Sequence, residues 1–585
     1  MIQSHGGSII GDCLAKRGVR HLFTLCGGHI SPILTGAEDH GIKVVDVRDE
    51  ANAAFAADAV ARMTGVPGIV AITAGPGVTN TITAVKNAQM AQSPMVIFGG
   101  ATATILRGRG SLQDIDQLAI MRPLTKWAVS VSTVSSLRPI VNKALDIAQE
   151  GVPGPVFIEV PVDLLYPEEI VRDWFMKESG VENAKGLGPK ALGLYLKGHL
   201  YRQFHAPHLG FGLPKTQPLQ VSRSYNAQIK KAAELLKTAE KPVLVIGSQT
   251  LVNTTPEKAE NIAEAVRSLG IPTFLGGMGR GLLGQHSDIQ FRHKRSKALR
   301  EADVVLIAGF PFDFRMGYGR KINRKATLVA ANLSAMDLRK NRRPEIGLQM
   351  HPGDFILELS RSVQGSLGPW KGWFNTLQDR EDARDQEIRD KAETAKGELV
   401  DPIRFFLKLE EKMSDDAVMV VDGGDFVATA SYIVRPRKPL SWLDPGVFGT
   451  LGVGGGFAVG AALCRPKSEV WIIYGDGSSA YSLAEFDTCV RHNLAPIAVI
   501  GTDGSWAQIA RDQVKILGTD LGTVLLRNEY HTVAEGYGAV GILVTDESQV
   551  EEALDKAKEL SAQGKPVVLN IHIDKTDFRE GSISI

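Results

Sequence analysis

The residues best placed to do chemistry lie late in the chain, at Gly475-Asp476-Gly477-Ser478-Ser479 and at Thr502-Asp503. The first group follows the apolar run EVWIIY, the second ends the run APIAVI, and the helical segment SLAEFDTCVRHN lies between them. Strand, helix and strand in that order make a βαβ unit, and parallel strands bring their C-terminal ends to one edge of a sheet. Asp476 and Asp503 are therefore expected to converge. Two carboxylates at one point suit a hard cation, and Mg²⁺ in particular takes one or two carboxylates plus phosphate oxygens and water. A helix opening at Ser478 would turn free N–H groups toward an anion. The pattern reads as a metal held against a diphosphate.

These residues need a scaffold of parallel sheets, and the sequence supplies the pattern three times. The runs VRHLFTL, IKVVDVR, GIVAITAG, SPMVIFGG and GPVFIEVP alternate with helical stretches in residues 1–175. The runs KPVLVIGS, IPTFLGG, ADVVLIAG and ATLVAANL do so in 228–365, and AVMVVDGG, EVWIIYGDG, LAPIAVIGTD and KPVVLNIHI in 401–585. Short apolar strands alternating with helices predict an α/β fold of three doubly wound parallel-sheet domains. Between them lie a polar, glycine-studded linker, 176–227, and a linker of mixed charge, 366–400, containing DREDARDQEIRDKAETAKGE, which suits a solvated helix. The first linker holds ALGLYLKGHLYRQFHAPHLGF, with Leu, Tyr and Phe at near-helical spacing. It reads as a helix packed on a neighbouring domain or subunit, or as an amphipathic helix resting on a membrane surface.

Composition narrows the function classes. The 585 residues are 44% hydrophobic and 22% charged, and 66 Lys+Arg against 65 Asp+Glu leave a net charge of +1. That is the composition of a globular protein without the basic surplus of a nucleic-acid binder. The sequence has no run of 18 uninterrupted apolar residues, so no transmembrane segment is expected. The N-terminal residues show no secretory or transit pattern, and Cys13, Cys26, Cys464 and Cys489 have no metal-ligand spacing. Reduced thiols and a cytoplasmic protein are expected.

GDG, followed by 24 residues and a polar pair, is similar to the signature of thiamine-diphosphate-dependent enzymes, and the resemblance to that superfamily runs from about His5 to Ile585. It implies that Asp476, Asp503 and the carbonyl of Ser505 hold Mg²⁺ against the diphosphate, beside Gly475, Gly477 and Ser478. Here the usual Asn-Asn pair is Thr502-Asp503, which keeps a ligand and adds a negative charge. VRDEANAAFAADAVAR resembles the segment whose glutamate, Glu50, contacts the aminopyrimidine. A carboxyl there favours the imino tautomer that deprotonates the thiazolium carbon. ITAGPGVTN implies a pyrimidine pocket from Thr73, Pro76 and Asn80. GTLGVGGGFAVG implies that Leu451 wedges the cofactor into its bent shape while Gly449 meets the pyrimidine edge. DGGDF aligns with a diphosphate turn through Gly424, Asp425 and Phe426, where an acidic Asp425 is unfavourable unless it points away.

The resemblance is closest to the acetolactate-synthase-like subgroup that includes 2-hydroxyacyl-CoA lyases, carried by LCGGHISPIL, VKNAQMAQSPM, DGGDFVATA, WLDPGVFGTLGVGGGFAVGA and DFREGSISI. It implies cleavage of a 2-hydroxyacyl-CoA to an aldehyde and formyl-CoA, reversible as carboligation. The alternatives are acetolactate synthase with FAD, oxalyl-CoA decarboxylase, and a non-catalytic member of the fold. Gln113 matches the position facing the substrate, Gly28 would approach it by its backbone, and His29 is a candidate proton shuttle, as its ordinary pKa lies near neutrality. Tyr481 and Trp506 would line the pocket. In AGFPFDFRMGYG only Phe312, Asp313 and Arg315 match the flavin segment, and Asn332 stands where an Asp is usual, so ADP or coenzyme A is expected in the central domain rather than FAD. A cofactor shared between chains implies a homodimer as the minimal unit and a homotetramer as the assembly.

Overall fold

A computed structural model describes residues 5–181, 186–207, 225–363 and 367–579. Part of the first linker, 208–224, and the last residues of DFREGSISI, 580–585, lie outside the described residues. The chain divides into two compact units, Met1–Ala61 with Val66–Gln217, and Arg62–Gly65 with Pro218–Ile585.

The first unit is built on β1 (His21–Leu25), β2 (Lys43–Asp46), β3 (Gly68–Ile72), β4 (Met95–Ala101), β5 (Ala128–Ser130) and β6 (Pro155–Pro161), in the order β2-β1-β3-β4-β6-β5. The second unit carries two such sheets. One comprises β7 (Pro242–Ile246), β8 (Thr273–Leu275), β9 (Gln290–Phe291), β10 (Val304–Ala308), β11 (Thr327–Ala331) and β12 (Ile346–Leu348), in the order β12-β11-β10-β7-β8-β9. The other comprises β13 (Val418–Val421), β14 (Trp442–Leu443), β15 (Val470–Gly475), β16 (Ile497–Thr502), β17 (Val540–Val544) and β18 (Val567–His572), in the order β14-β13-β15-β16-β18-β17. Every strand pair is parallel, with registers such as Gly475 opposite Gly501. β3, β4, β6, β7, β10 and β13 are buried at every position, because helices cover both faces of a doubly wound sheet and their apolar runs satisfy both.

Eight helices bear on the argument: α1 (Glu50–Thr64), α2 (Pro76–Asn80), α3 (Glu168–Glu178), α4 (Leu187–His205), α5 (Lys371–Thr394), α6 (Asp425–Ile433), α7 (Asp476–Ser479) and α8 (Glu485–Arg491). α5 corrects the expectation of a solvated linker. This 24-residue helix buries Trp373 and Leu377 in the core of the central sheet and Ile388 and Ala392 in the core of the last sheet. Its Glu381 and Asp385 are partly buried against Arg292, and Asp385 also meets Arg435. Part of the charge that suggested solvent is paired across the unit, while other charged residues, such as Asp379 and Arg389, are exposed.

Candidate active site

In each of these sheets the chain order reverses beside the first strand: β1 lies between β2 and β3, and β13 between β14 and β15. Adjacent strands whose helices leave in opposite directions open a crevice at their carboxyl ends, the usual ligand position in doubly wound folds. The expected site segments hang from these two crevices, 26–30 and 73–80 on the first unit, 422–426 and 475–478 on the second.

On the first unit, Glu50 opens α1 and is buried, and its Oε2 accepts from Asn80 Nδ2 at 3.0 Å. Pro76 and Asn80, the two ends of α2, stay exposed beside it. His29 Nδ1 lies 3.3 Å from Thr73 Oγ1, and burial lowers the pKa of the imidazole, which keeps it neutral. The two loops touch so closely that a Cβ on Gly27 would lie 2.4 Å from Thr73 Oγ1. Gly28 is exposed beside them. Gln113 is half-buried with a left-handed backbone, φ +63°, uncommon for a residue with a side chain and often found at functional sites. It lies against Gly75.

One residue here escaped the sequence reading. Buried Gln117 accepts from Gly75 N–H at 2.9 Å and donates to the Gly100 carbonyl at 3.0 Å and to Glu159 Oε2 at 3.1 Å. It ties the Thr73–Asn80 loop to the ends of β4 and β6. Nothing in GSLQDIDQ distinguishes this second Gln from a surface residue.

On the second unit a cavity of about 240 Å³ is lined by Gly424, Asp425, Phe426, Gly449, Leu451, Gly475, Asp476, Gly477, Ser478, Asp503, Ser505 and Trp506, among others. All the C-terminal residues singled out for the cofactor and metal face one space. The exception is Tyr481, which is 62% exposed and absent from the lining; the chain turns outward after α7 and packs Tyr481 beside Gly452. Trp506 covers Gly477, where a Cβ would meet the indole at 2.5 Å. The helix after β15 opens at Asp476, not Ser478, and ends at Ser479; the following α8 is separate. Four residues carry little macrodipole, so an anion here would be held by individual N–H groups and the start of α6.

The parallel register sets Gly475 opposite Gly501, which brings Asp476 and Asp503 to the same edge. Asp476 accepts from Gly477 N–H and Gly504 N–H, both at 2.8 Å, and Asp503 from Ser505 N–H at 2.9 Å. Burial raises the pKa of both carboxyls, and with the charge of Asp476 added it pushes Asp503 up to about 7. Neither forms an ion pair among the described residues. Two buried oxygen donors that repel one another fit a hard divalent cation. Ser478 Oγ lies within bonding distance of the Gly423 and Gly475 carbonyls, at 3.2 and 3.1 Å.

Asp425 carries its own counter-charge, Arg511, with Arg579 Nε at 3.9 Å. Asp422, passed over in the sequence, is the support of this site. Its two oxygens accept from Gly452 N–H at 2.9 Å and Gly454 N–H at 2.7 Å, fixing the turn that presents Gly449 and Leu451. Burial pushes its carboxyl up to about 7.

The central flavin-like segment is occupied internally. Asp313 caps its own turn and pairs with Arg315 at 2.6 Å, and Asn332 Oδ1 accepts from Ser334 N–H. The cavity beside the central sheet lies elsewhere. It holds about 750 Å³ between the ends of β8 and β9, the C-terminal end of α6 and Phe578-Arg579, and its lining includes Arg280, Arg292, His293, Lys294, Arg295 and Arg579.

Comparison with known proteins agrees with this geometry. Residues 4–120 match the thiamine pyrophosphate enzyme N-terminal TPP binding domain, 229–359 the central domain and 422–571 the C-terminal TPP binding domain. The chain is 48% identical to 2-hydroxyacyl-CoA lyase 2 of Danio rerio over 587 residues, covering 99% of this chain and 93% of the relative. It is 44% identical to the human 2-hydroxyacyl-CoA lyase 2 over 591 residues, 99% and 92% of the two chains. It is 33% identical to the acetolactate synthase large subunit IlvG of Mycobacterium tuberculosis over 581 residues, 97% and 96%. Two crevices of matching design, three family domains in order and relatives of this identity over nearly the full length lead to one conclusion: the chain belongs to the thiamine pyrophosphate enzyme family.

Proposed function

We propose that this enzyme is a thiamine-diphosphate- and Mg²⁺-dependent lyase that splits a 2-hydroxyacyl-CoA into an aldehyde and formyl-CoA, and joins them in reverse. The observation that carries the coenzyme A part is the 750 Å³ cationic cavity. Arg280 and Arg295 are half-buried there, and they donate to the backbone carbonyls of Ser431 and Arg315. Arg579 Nε has no hydrogen-bond partner. Guanidiniums clustered in a partly closed cavity normally face an anion, so the cavity suits the phosphates of a nucleotide. α6 runs from the diphosphate cradle at Gly424 to Ser431 and Tyr432 in this cavity, nine residues or about 13 Å. A pantetheine arm would cross that interval.

When bound, thiamine diphosphate supplies a stabilised carbanion at the carbon of the former carbonyl. The chain's residues do the rest. Asp476, Asp503 and the Ser505 carbonyl hold Mg²⁺, while N–H groups at Gly424–Phe426 and Gly477–Ser478 take diphosphate oxygens. Leu451 and Gly449 set the cofactor's shape and pyrimidine contact. Glu50, oriented by Asn80, would offer its carboxyl to the pyrimidine ring in a pocket completed by Thr73 and Pro76. Neutral His29 accepts and returns a proton at the substrate hydroxyl, and the Gln113 amide donates to the developing oxyanion, with the backbone of Gly28 alongside. The Glu50 and metal half-sites come from different subunits of a homodimer, and the dimers pair into a tetramer. We place it in the cytoplasm, where its four unpaired cysteines would stay reduced.

The test supplies purified enzyme with a 2-hydroxyacyl-CoA and, separately, with pyruvate. Aldehyde and formyl-CoA are expected from the first. Acetolactate from pyruvate with no acyl-CoA cleavage would reject the proposal.

A further inference from the structure

Helix α4 presents apolar residues on two opposite faces. The inner face is fully engaged: Leu196 and Leu200 pack with Val171, Phe175 and Met176 of α3. Polar bonds fix the same face. Gln203 Nε2 donates to Asp163 Oδ2 at 2.7 Å, and His199 Nε2 lies 2.8 Å from Thr104 Oγ1. The helix is therefore set in one orientation, and its outer residues are not spare core. On that outer face Leu187 is 88% exposed, Leu194 74% and Tyr201 67%, spaced seven residues apart in one stripe, with Tyr195 exposed beside them. A surface helix ordinarily turns polar residues outward.

Charge accompanies the stripe. The 19 residues of α4 contain Lys190, Lys197 and Arg202 and no Asp or Glu. Between α3 and α4 a shallow basin of about 500 Å³ is lined by Arg172, Lys190 and Lys197 around Met176, Val181, Gly193 and Leu194. Arg172 is shared with Glu168, which also meets His205. Lys190 and Lys197 form no ion pair among the described residues. Glu169, Asp173 and Glu178 lie on α3, so the positive charge is segregated onto the helix that bears the apolar stripe.

We infer that this face of α4 docks on a bilayer surface bearing anionic phospholipid, with Leu187, Leu194 and Tyr201 entering the headgroup boundary and Lys190 and Lys197 meeting phosphates. Leucine and tyrosine suit that boundary, and lysine stems reach from it to the headgroups. A second copy of the helix is the less suitable occupant, since the Lys and Arg residues of α4 are all positive and would face their like.

The full-length protein is tested by flotation with vesicles of phosphatidylcholine alone and with roughly one-third phosphatidylserine. Partition onto the anionic vesicles, weakened by salt, is expected. Lys190→Gln with Lys197→Gln should lower partition about thirtyfold, at about fivefold per charge, with catalytic rate unchanged. Leu194→Ser with Tyr201→Ser should lower it as well, and circular dichroism checks that both variants fold. Failure of the wild type to bind anionic vesicles, or folded variants that bind equally well, would overturn the inference. So would a fall in oligomer mass by light scattering in Leu194→Ser/Tyr201→Ser without any vesicle binding by the wild type, which assigns the face to a second copy.

Discussion

Arg511 donates to Asp425 Oδ1 at the mouth of the proposed diphosphate cradle, so the acidic residue that opens α6 is neutralised inside the protein. Removing the partner leaves the carboxylate with only the more distant Arg579 beside it, where an anion would bind. Arg511→Gln should weaken thiamine diphosphate binding by at least about tenfold and cost about 2 to 4 kcal/mol of stability. Adding Asp425→Asn to it should recover most of the affinity. Calorimetric titration of the two variants and the wild type measures both effects, and an additive double variant would show that the pair is not coupled.

Asp422 gives a pH dependence of known sign. Its folded pKa, about 7, lies above the ordinary 3.8, so the unfolded chain releases this proton first as pH rises. Its contribution is fully present below about pH 4 and is lost as pH climbs through about 7. Asp422→Asn removes this titration. In urea melts without cofactor or metal, wild-type stability minus variant stability should fall across that window and then level off. A difference that is flat from pH 5 to 8 would contradict the buried, protonated carboxyl.

Asp503 stands where the family resemblance implies Asn, and burial, with the charge of Asp476 added, pushes its pKa up to about 7. Asp503→Asn should therefore stabilise the metal-free protein while weakening Mg²⁺ about tenfold, or roughly 1.4 kcal/mol. Melting temperature with and without Mg²⁺ and thiamine diphosphate reports both. A variant less stable than wild type in the metal-free state would show that the two carboxylates do not repel.

Glu50→Gln keeps the side chain's size and its contact with Asn80 but cannot pass a proton. We expect normal thiamine diphosphate and Mg²⁺ binding with turnover lowered about 10² to 10⁴-fold. Activity within about threefold of wild type would assign the pyrimidine to another group.

Mixing Glu50→Gln subunits with Asp476→Ala subunits tests the shared site. Two-fold exchange places both defects in one site of the mixed dimer and neither in the other, so activity should reappear. Exchanged subunits without regained activity, or an active monomer, would reject sharing.

The central strands and the carboxyl-end loops were legible in sequence because a strand covered on both faces must be apolar throughout. GIVAI, VLVI and WIIY signal themselves, and a loop leaving such a strand as GDG or AGPG marks the sheet's working edge. The strands not anticipated, β5, β9, β12, β14 and β17, are all at sheet edges, where they are two to five residues long and several lie only half-buried. An edge strand is held by one neighbour's register and needs little local pattern. The charged run 371–394 misled for a related reason. Composition records charge, but only the fold decides whether Glu381 and Asp385 meet water or Arg292. Glu50, Asp476 and Asp503 could be named from motif and strand ends. Asp422, Gln117 and Arg511 could not, because each acts through a partner 30 to 86 residues distant, at Gly452, Gly75 and Asp425, and sequence carries no record of which distant groups a folded chain brings within hydrogen-bond reach.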